Sequence, residues 1–543
     1  MITTTTHHPL APDFWLDHSF DRTGVVTQEI FELDLPASAF EETRVELFGP
    51  KMTAPPGISP FMPTRARHIA RVYISPETPE TSKERKGENP DSRLIYKWLR
   101  NTPGATTSAK TPPQTESSDA DLIVSTFTWQ ELASILKYSL YPFYRPEGGD
   151  EIYKKFRETM SEKIEGESYL ETVYRFVSQK IRTVDLPLGS TGFRIRNPLD
   201  VLSSGYATAE EKAILFILLL PDPYPACHFA LFISASSPEK LIPRPSLLTR
   251  ILLVVDMKQR VFLDPATEVA PFGVISADLR GKTMLMLNNP GHGPTIAEDP
   301  LLWQLSTLDL PFASSQKVSV AAALAADGKL TAKVHYALRG DNELLLRIGF
   351  HQTQKEKWKD LAQLLSLSDG FRGQVTSVTA SDPYATREPF TVDYEITQPK
   401  FVDWSKKPIR MPALLPQLGL PDPPAKPTPG TATAPIELGT PLEVDTKMTL
   451  HLPSGTDVAA PTGTSVQRDY ATFASQYSIQ GLTVTASRHI NFLLRQVPAD
   501  RAADYNAFLR AVQNDQAQDF TLDRESAPAD TSKPGPSGAS PKP

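Results

Sequence analysis

The chain has 543 residues, room for about three or four domains. Its 40% hydrophobic content suits folded cores, and a net charge of −7 is too mild for a dedicated nucleic-acid surface. One cysteine excludes an internal disulfide and a cysteine-based zinc site, and the ten histidines show no H-x-x-x-H or H-x-x-E-H spacing, so neither a metal nor a cofactor is predicted. Proline is high, 51 residues or about 9% against a usual level near 5%, which favours edges, turns and linkers over long helices.

In chain order, residues 1–149 read as a β-rich domain. Met1 to His8 lacks the basic and apolar regions of a signal peptide. Val25 to Leu33 and Ile69 to Ile74 partly alternate as strands do, Pro76 to Ser92 reads as an exposed loop, and Thr102 to Ala120 is loose. Ile123 to Trp129 reads as a strand and its ending, and an amphipathic helix follows. Residues 150–289 form a central domain. Leu170, Val173, Tyr174, Val177 and Ile181 make one apolar helix face there. Ala213 to Leu220 reads as a buried helix, too short to cross a membrane, and Phe229 to Ser234, Leu252 to Val255 and Val261 to Leu263 read as sheet strands.

Residues 290–410 read as a second β-rich domain with one helix, around Leu344 to Leu365, whose inner face is Trp358, Leu361, Leu364 and Leu365. Val318/Val320 and Leu330/Ala332/Val334/Tyr336 alternate about an Asp327-Gly328 turn. Residues 411–435 read as a proline-rich linker, and 436–525 as strands closed by a helix with Tyr505, Phe508, Leu509 and Val512 on one face. Residues 526–543 read as a disordered tail.

The most specific run lies in the central domain. It reads Leu188-Gly189-Ser190-Thr191-Gly192-Phe193-Arg194, then Asp200-Val201-Leu202, then Gly205-Tyr206-Ala207-Thr208-Ala209-Glu210-Glu211-Lys212-Ala213. Leu248-Thr249-Arg250-Ile251, Phe262-Leu263-Asp264-Pro265 and Ala270-Pro271-Phe272-Gly273 follow. From Leu186 to Gly273 this resembles the transglutaminase-like, papain-related fold, and in particular bacterial multi-domain proteins reading G-x-x-G-[YF]-R-P-x-x-x-x-E-V-L-x-x-x-Y-G-D-C-K-D-K-A around the nucleophile. The resemblance implies a multi-domain α+β chain, a central transglutaminase-like (cysteine-protease-like) domain between β-sandwich-like domains. It also implies that the N-terminal domain, short for its kind, lacks a portion, and that relatives are periplasmic or extracellular; without a signal peptide, either the start is trimmed or misannotated or this member stays inside.

In that frame the family's catalytic cysteine falls on Ala209 and its histidine on Arg250, and only the aspartate survives, as Asp264. A thiol site needs a thiolate, a base to make it and a group to orient the base. Ala209 has no nucleophilic atom, and a guanidinium accepts no proton at working pH. Losing one member of such a unit costs about as much as losing all, on the order of a million-fold in turnover. Arg250 is then expected to fork onto Asp264, with Glu210 and Glu211 as alternative partners, although both glutamates also suit a first helical turn.

Three readings follow. The first is a non-catalytic transglutaminase-like protein that binds a peptide or protein at a cleft lined by Tyr206, Arg250 and Asp264, or serves as a scaffold. The second is an active hydrolase or amidotransferase with a substitute nucleophile, Ser203, Ser204 or Thr208, and Glu210 as base. The third is a purely structural envelope protein without a ligand. Cys227 beside His228 is no replacement, because neighbours on a strand point to opposite faces.

Overall fold

The computed structural model describes residues 127–140, 149–160, 164–221, 226–233, 243–287, 302–305, 310–422 and 434–524 continuously, together with strands 15–18, 28–36, 46–48, 71–74, 81–86, 93–101 and 122–125. The chain folds as two compact units. The first comprises Met1–Ala266 with Asp278–Leu308, the second Thr267–Ala277 with Asp309–Pro543. Several sheets and eight α-helices among the described residues make it a multi-domain mixed α/β protein. The tail 526–543, the stretch Thr102 to Ala120, residues 423–433 and the first eight residues lie outside the described residues.

In the first unit, the early strands form a four-stranded and a three-stranded sheet. Thr81–Lys86, assigned to a loop from its charge, is a strand paired antiparallel to Arg93–Asn101. It is an edge strand, and ladder hydrogen bonds are made by backbone groups whatever the side chains are.

The helices that follow are α1 (Trp129–Leu140), α2 (Gly149–Thr159), α3 (Tyr169–Gln179), α4 (Pro198–Ser204) and α5 (Ala209–Leu218). The strands are β1 (Cys227–Ile233), β2 (Leu248–Val255), β3 (Val261–Leu263), β4 (Thr283–Leu287) and β5 (Leu302–Gln304), in one antiparallel sheet of order β3-β2-β1-β4-β5. β1 is buried at every position and β4 likewise, so the alternation of a half-exposed strand is absent. α5 packs on β2 and α3, and α1 packs on β4. α3 buries Leu170, Val173, Tyr174 and Val177, the stripe legible in its sequence. It starts with a capping box in which Ser168 and Glu171 satisfy each other's backbone N–H groups.

The second unit is built on an eight-stranded sheet. Its strands are β6 (Ser315–Leu324), β7 (Leu330–Arg339), β8 (Gln374–Ala380), β9 (Phe390–Gln398), β11 (Leu442–His451), β13 (Ser465–Gln467), β14 (Ala471–Gln480) and β15 (Thr483–Phe492). The order is β8-β9-β7-β6-β11-β15-β14-β13, with β6 and β11 parallel and the other pairs antiparallel. The stretches 290–410 and 436–525, separate in the sequence reading, therefore share one sheet through β6 and β11.

β6 and β7 alternate buried and exposed, as their sequences require. Gly328 turns the hairpin with φ of +80°, and a Cβ there would run into the Val402 carbonyl. The inner face packs on α6 (Asp341–Gln352), α7 (Trp358–Ser368) and α8 (Ala502–Gln516), and on a three-stranded sheet of β10 (Ile409–Pro412), β16 (Asp519–Arg524) and β12 (Thr456–Ala459). This is a broad sheet covered largely by helices, rather than the β-sandwich-like flank expected.

Three local expectations change. The single helix around Leu344 to Leu365 is two helices, α6 and α7, joined by the 3-10 turn Lys355–Lys357. Trp358 donates its indole N–H to the carbonyls of Phe350 and Thr353, satisfying acceptors left at the end of α6. Leu364, assigned inward, is 64% exposed, and Ala362 and Ser366 are buried instead. Met411 to Leu415, counted with the linker, join the core because β10 pairs with β16.

Several buried polar centres hold this unit, among them one on α6 and one at the end of α7. Glu343 and Arg347 on α6 are fully buried and paired at 2.8 Å, and Arg339 also reaches Glu343. The Arg347 guanidinium donates to the carbonyls of Asp382, Pro383, Ala385 and Glu388, pinning the β8–β9 connection. Removing one partner of a buried pair strands the other. Arg347→Met is expected to cost about 3 kcal/mol or more, read as a shifted urea midpoint at unchanged slope.

At the second centre, Asp369 accepts hydroxyl hydrogens from Tyr336 and Tyr394 and, among the described residues, forms no ion pair. Burial outweighs both hydrogen bonds and raises its carboxyl to about 6. A carboxyl raised on folding contributes most stability below its unfolded value and loses it as pH rises to about 6. Asp369→Asn keeps an acceptor for both tyrosines, so it should abolish this decline between about pH 4 and 6, worth on the order of 2 kcal/mol, as read from melts across pH.

Candidate functional site

α5 begins at Ala209 with Thr208 as its N-cap. The Thr208 hydroxyl accepts the Glu211 N–H, and the Glu211 carboxylate accepts the Thr208 N–H. The open end of this helix is where a thiolate would be stabilised by the unsatisfied N–H groups and the helix dipole. The residue there carries only a methyl group.

Arg250 lies on β2, in register with Phe232 of β1, and Asp264 directly follows β3, which pairs with β2. The two side chains meet: Arg250 Nε is 3.0 Å and Nη2 2.6 Å from Asp264 Oδ2. Both nitrogens converge on one oxygen, because Oδ1 accepts the Ala266 N–H at 3.1 Å and closes an Asx turn. The carboxylate is 1% exposed and the arginine side chain 35%. The Asp264 charge raises the Arg250 pKa further, with smaller contributions from Asp278 and Asp185. The Tyr174 hydroxyl donates to the Asp264 carbonyl, and burial, then the Asp264 charge, push its pKa well up.

Lys212, one turn into α5, is fully buried and donates to the carbonyls of Ser178 and Pro265 at 3.0 and 3.2 Å. It thereby ties α5 to the end of α3 and to the segment after Asp264. None of these groups accepts a proton near Ala209: guanidinium and ammonium only donate, and Asp264 already receives Arg250.

Glu210 and Glu211 do not partner Arg250. Glu210 accepts the Gly189 N–H at 2.9 Å. Glu211 takes Arg196 in a fork, Nε to Oε1 at 2.8 Å and Nη2 to Oε2 at 2.7 Å. Burial alone would raise the Glu211 carboxyl, but the bonds from Arg196 and Thr208 outweigh it and its pKa is lowered. The two glutamates thus hold the 189–196 loop, where Gly189, Gly192 and Phe193 have positive φ. A Cβ on Gly189 would collide with the Phe193 ring.

Tyr206 is 46% exposed and groups with Arg196, whose guanidinium sits 4.5 Å from the ring centroid and donates to the Tyr206 carbonyl. Tyr206 thus clusters with Arg196 and Glu211, and Arg250 pairs with Asp264. Arg196 was not singled out in the sequence: it stands 15 residues before Glu211, a distance at which no local pattern connects them.

The hydroxyl candidates are committed to helix ends. Ser203 donates to the Leu199 carbonyl at 2.7 Å and accepts from the Lys155 ammonium at 2.9 Å. Ser204 donates to the Val201 carbonyl at 3.1 Å and accepts from Arg196. Thr208 caps α5. The Cys227 thiol is buried, and burial, then the Asp256 charge, push its pKa far up. His228 is held by Asp256 at 3.0 Å.

Removing the cation from a nearly buried carboxylate leaves it uncompensated. Arg250→Ala is expected to destabilise the fold by about 1–3 kcal/mol, discounted for the arginine's exposure. The double variant with Asp264→Ala should lose less than the sum of the two single losses, a coupling that chemical denaturation of the four proteins measures.

No protein-family model matches the chain, and no curated protein matches it. One solved structure is similar, a crystal structure described as that of a "putative protease" from Parabacteroides distasonis ATCC 8503. It is 12% identical, with a TM-score of 0.41, over 84% of this chain and 72% of that one. A likeness of this degree carries no argument about chemistry.

Proposed function

We propose that the chain is a non-catalytic protein of the transglutaminase-like group, whose vacated site serves polypeptide binding or scaffolding. The observation that carries this reading is the Arg250–Asp264 pair beside a helix that opens on Ala209. In a thiol enzyme the aspartate would orient a base. Here it is occupied by a permanent cation, and the position at the helix start offers no nucleophile. The 35% exposure of Arg250 and the 46% exposure of Tyr206 leave polar and aromatic groups open to a ligand. The sheet edges of the chain offer places for an extended segment to add.

The test is peptide hydrolysis and amide transfer by the wild-type protein beside Ala209→Cys/Arg250→His. The expected outcome is a silent wild type and a thiol-dependent gain in the double variant, read with a fluorogenic peptide and an amine acceptor. Wild-type turnover abolished by substituting Ser203, Ser204 or Thr208 would replace this reading with that of an active hydrolase.

A further inference from the structure

On the outer face of the eight-stranded sheet, away from α6, α7 and α8, lies a hollow of about 570 Å³ whose lining includes Lys317, His335, Asp445, Lys447 and His489. Lys317 of β6, Asp445 of β11 and His489 of β15 are register partners across three adjacent strands. Glu443 stands two residues before Asp445, on the same face of β11. His489 Nδ1 is 2.7 Å from Asp445 Oδ1. One ligand atom from each of Glu443, Asp445 and His489 lies within 4.8 Å of the other two.

We propose that Glu443, Asp445 and His489 bind one divalent transition ion of the Zn²⁺ class, with its remaining positions open to the hollow. A tetrahedral ion with ligands at about 2.0–2.1 Å holds its donor atoms about 3.3 Å apart, so the three atoms, now within 4.8 Å of one another, would draw in by side-chain rotation. Two carboxylate oxygens and an imidazole nitrogen form a borderline donor set, which favours zinc-like ions over Mg²⁺ or Ca²⁺. The backbone positions are fixed by the ten-pair ladder between β11 and β15, so little order is lost on binding. Asp445 and His489 are 46% and 41% exposed at the side chain, so an ion can enter and keep water ligands. On binding, the ion takes the place of the Nδ1–Oδ1 hydrogen bond, with the neutral imidazole presenting the Nδ1 lone pair to it and keeping its N–H at Nε2. Lys317 and Lys447 on the same face oppose a cation and set a limit on affinity. This site does not depend on the reading of Ala209 and Arg250.

The full chain, stripped with a chelator, would be titrated with Zn²⁺ in competition with a chromophoric chelator. Asp445→Asn and His489→Ala should each weaken one binding event at least about tenfold, and Lys317→Ala should strengthen it. All three positions are solvent-accessible, and metal-free melting curves verify that each variant folds. Zn²⁺ affinity unchanged in Asp445→Asn and His489→Ala, which would locate binding at other histidines, overturns the proposal. So does the absence of any binding in the wild type.

Discussion

The Asp264 carboxylate, at 1% exposure, must be compensated, and the candidate site is organised around that constraint. An ionised carboxylate this deep needs a cation or several hydrogen-bond donors. Asp264 has Arg250 on one oxygen and the Ala266 N–H on the other. Its own carbonyl takes the Tyr174 hydroxyl, and the next carbonyl along the chain, that of Pro265, takes Lys212. The β3 exit, α3 and α5 are thereby fixed to one another through a single turn of backbone. An imidazole in place of Arg250 would leave a free nitrogen to accept a proton; a guanidinium leaves none. The cation that stabilises the turn is itself no proton acceptor.

The same device recurs elsewhere. Glu211 gathers Arg196 and two backbone N–H groups and thereby holds the 189–196 loop. Glu343 gathers Arg339, Arg347 and the Gly340 N–H, and Arg347 in turn holds four carbonyls of the β8–β9 connection. Asp515 of α8 receives Arg488, Ser475 and Tyr477 from the sheet beneath it. In each case a buried carboxylate takes an arginine that itself spans two elements. The planar guanidinium suits this role because its five donors serve a carboxylate and several carbonyls at once.

Much of the scaffold was legible. The α3 stripe, the β6–β7 hairpin about Asp327-Gly328 and the α8 face all rest on periodicity, which burial enforces locally. The misplaced elements failed for identifiable reasons. Thr81–Lys86 pairs through its backbone, which a charged sequence hides. The break between α6 and α7 is set by Trp358 reaching back to the α6 carbonyls. Met411 to Leu415 look like linker by their neighbours' composition, but β16 arrives from over a hundred residues away to pair with β10.

The sequence by itself determined that neither Ala209 nor Arg250 can supply a nucleophile or a base. Ala209 has no nucleophilic atom and Arg250 no proton acceptor in any conformation, so that conclusion needs only residue identity. Tertiary structure alone decided which charges meet. Arg196 rather than Arg250 found Glu211, Tyr206 went with Arg196, and Glu443, Asp445 and His489 came together from strands distant in sequence. Charged side chains are long and their pairing depends on register and burial, and these are properties of the packed sheet rather than of any local stretch of chain.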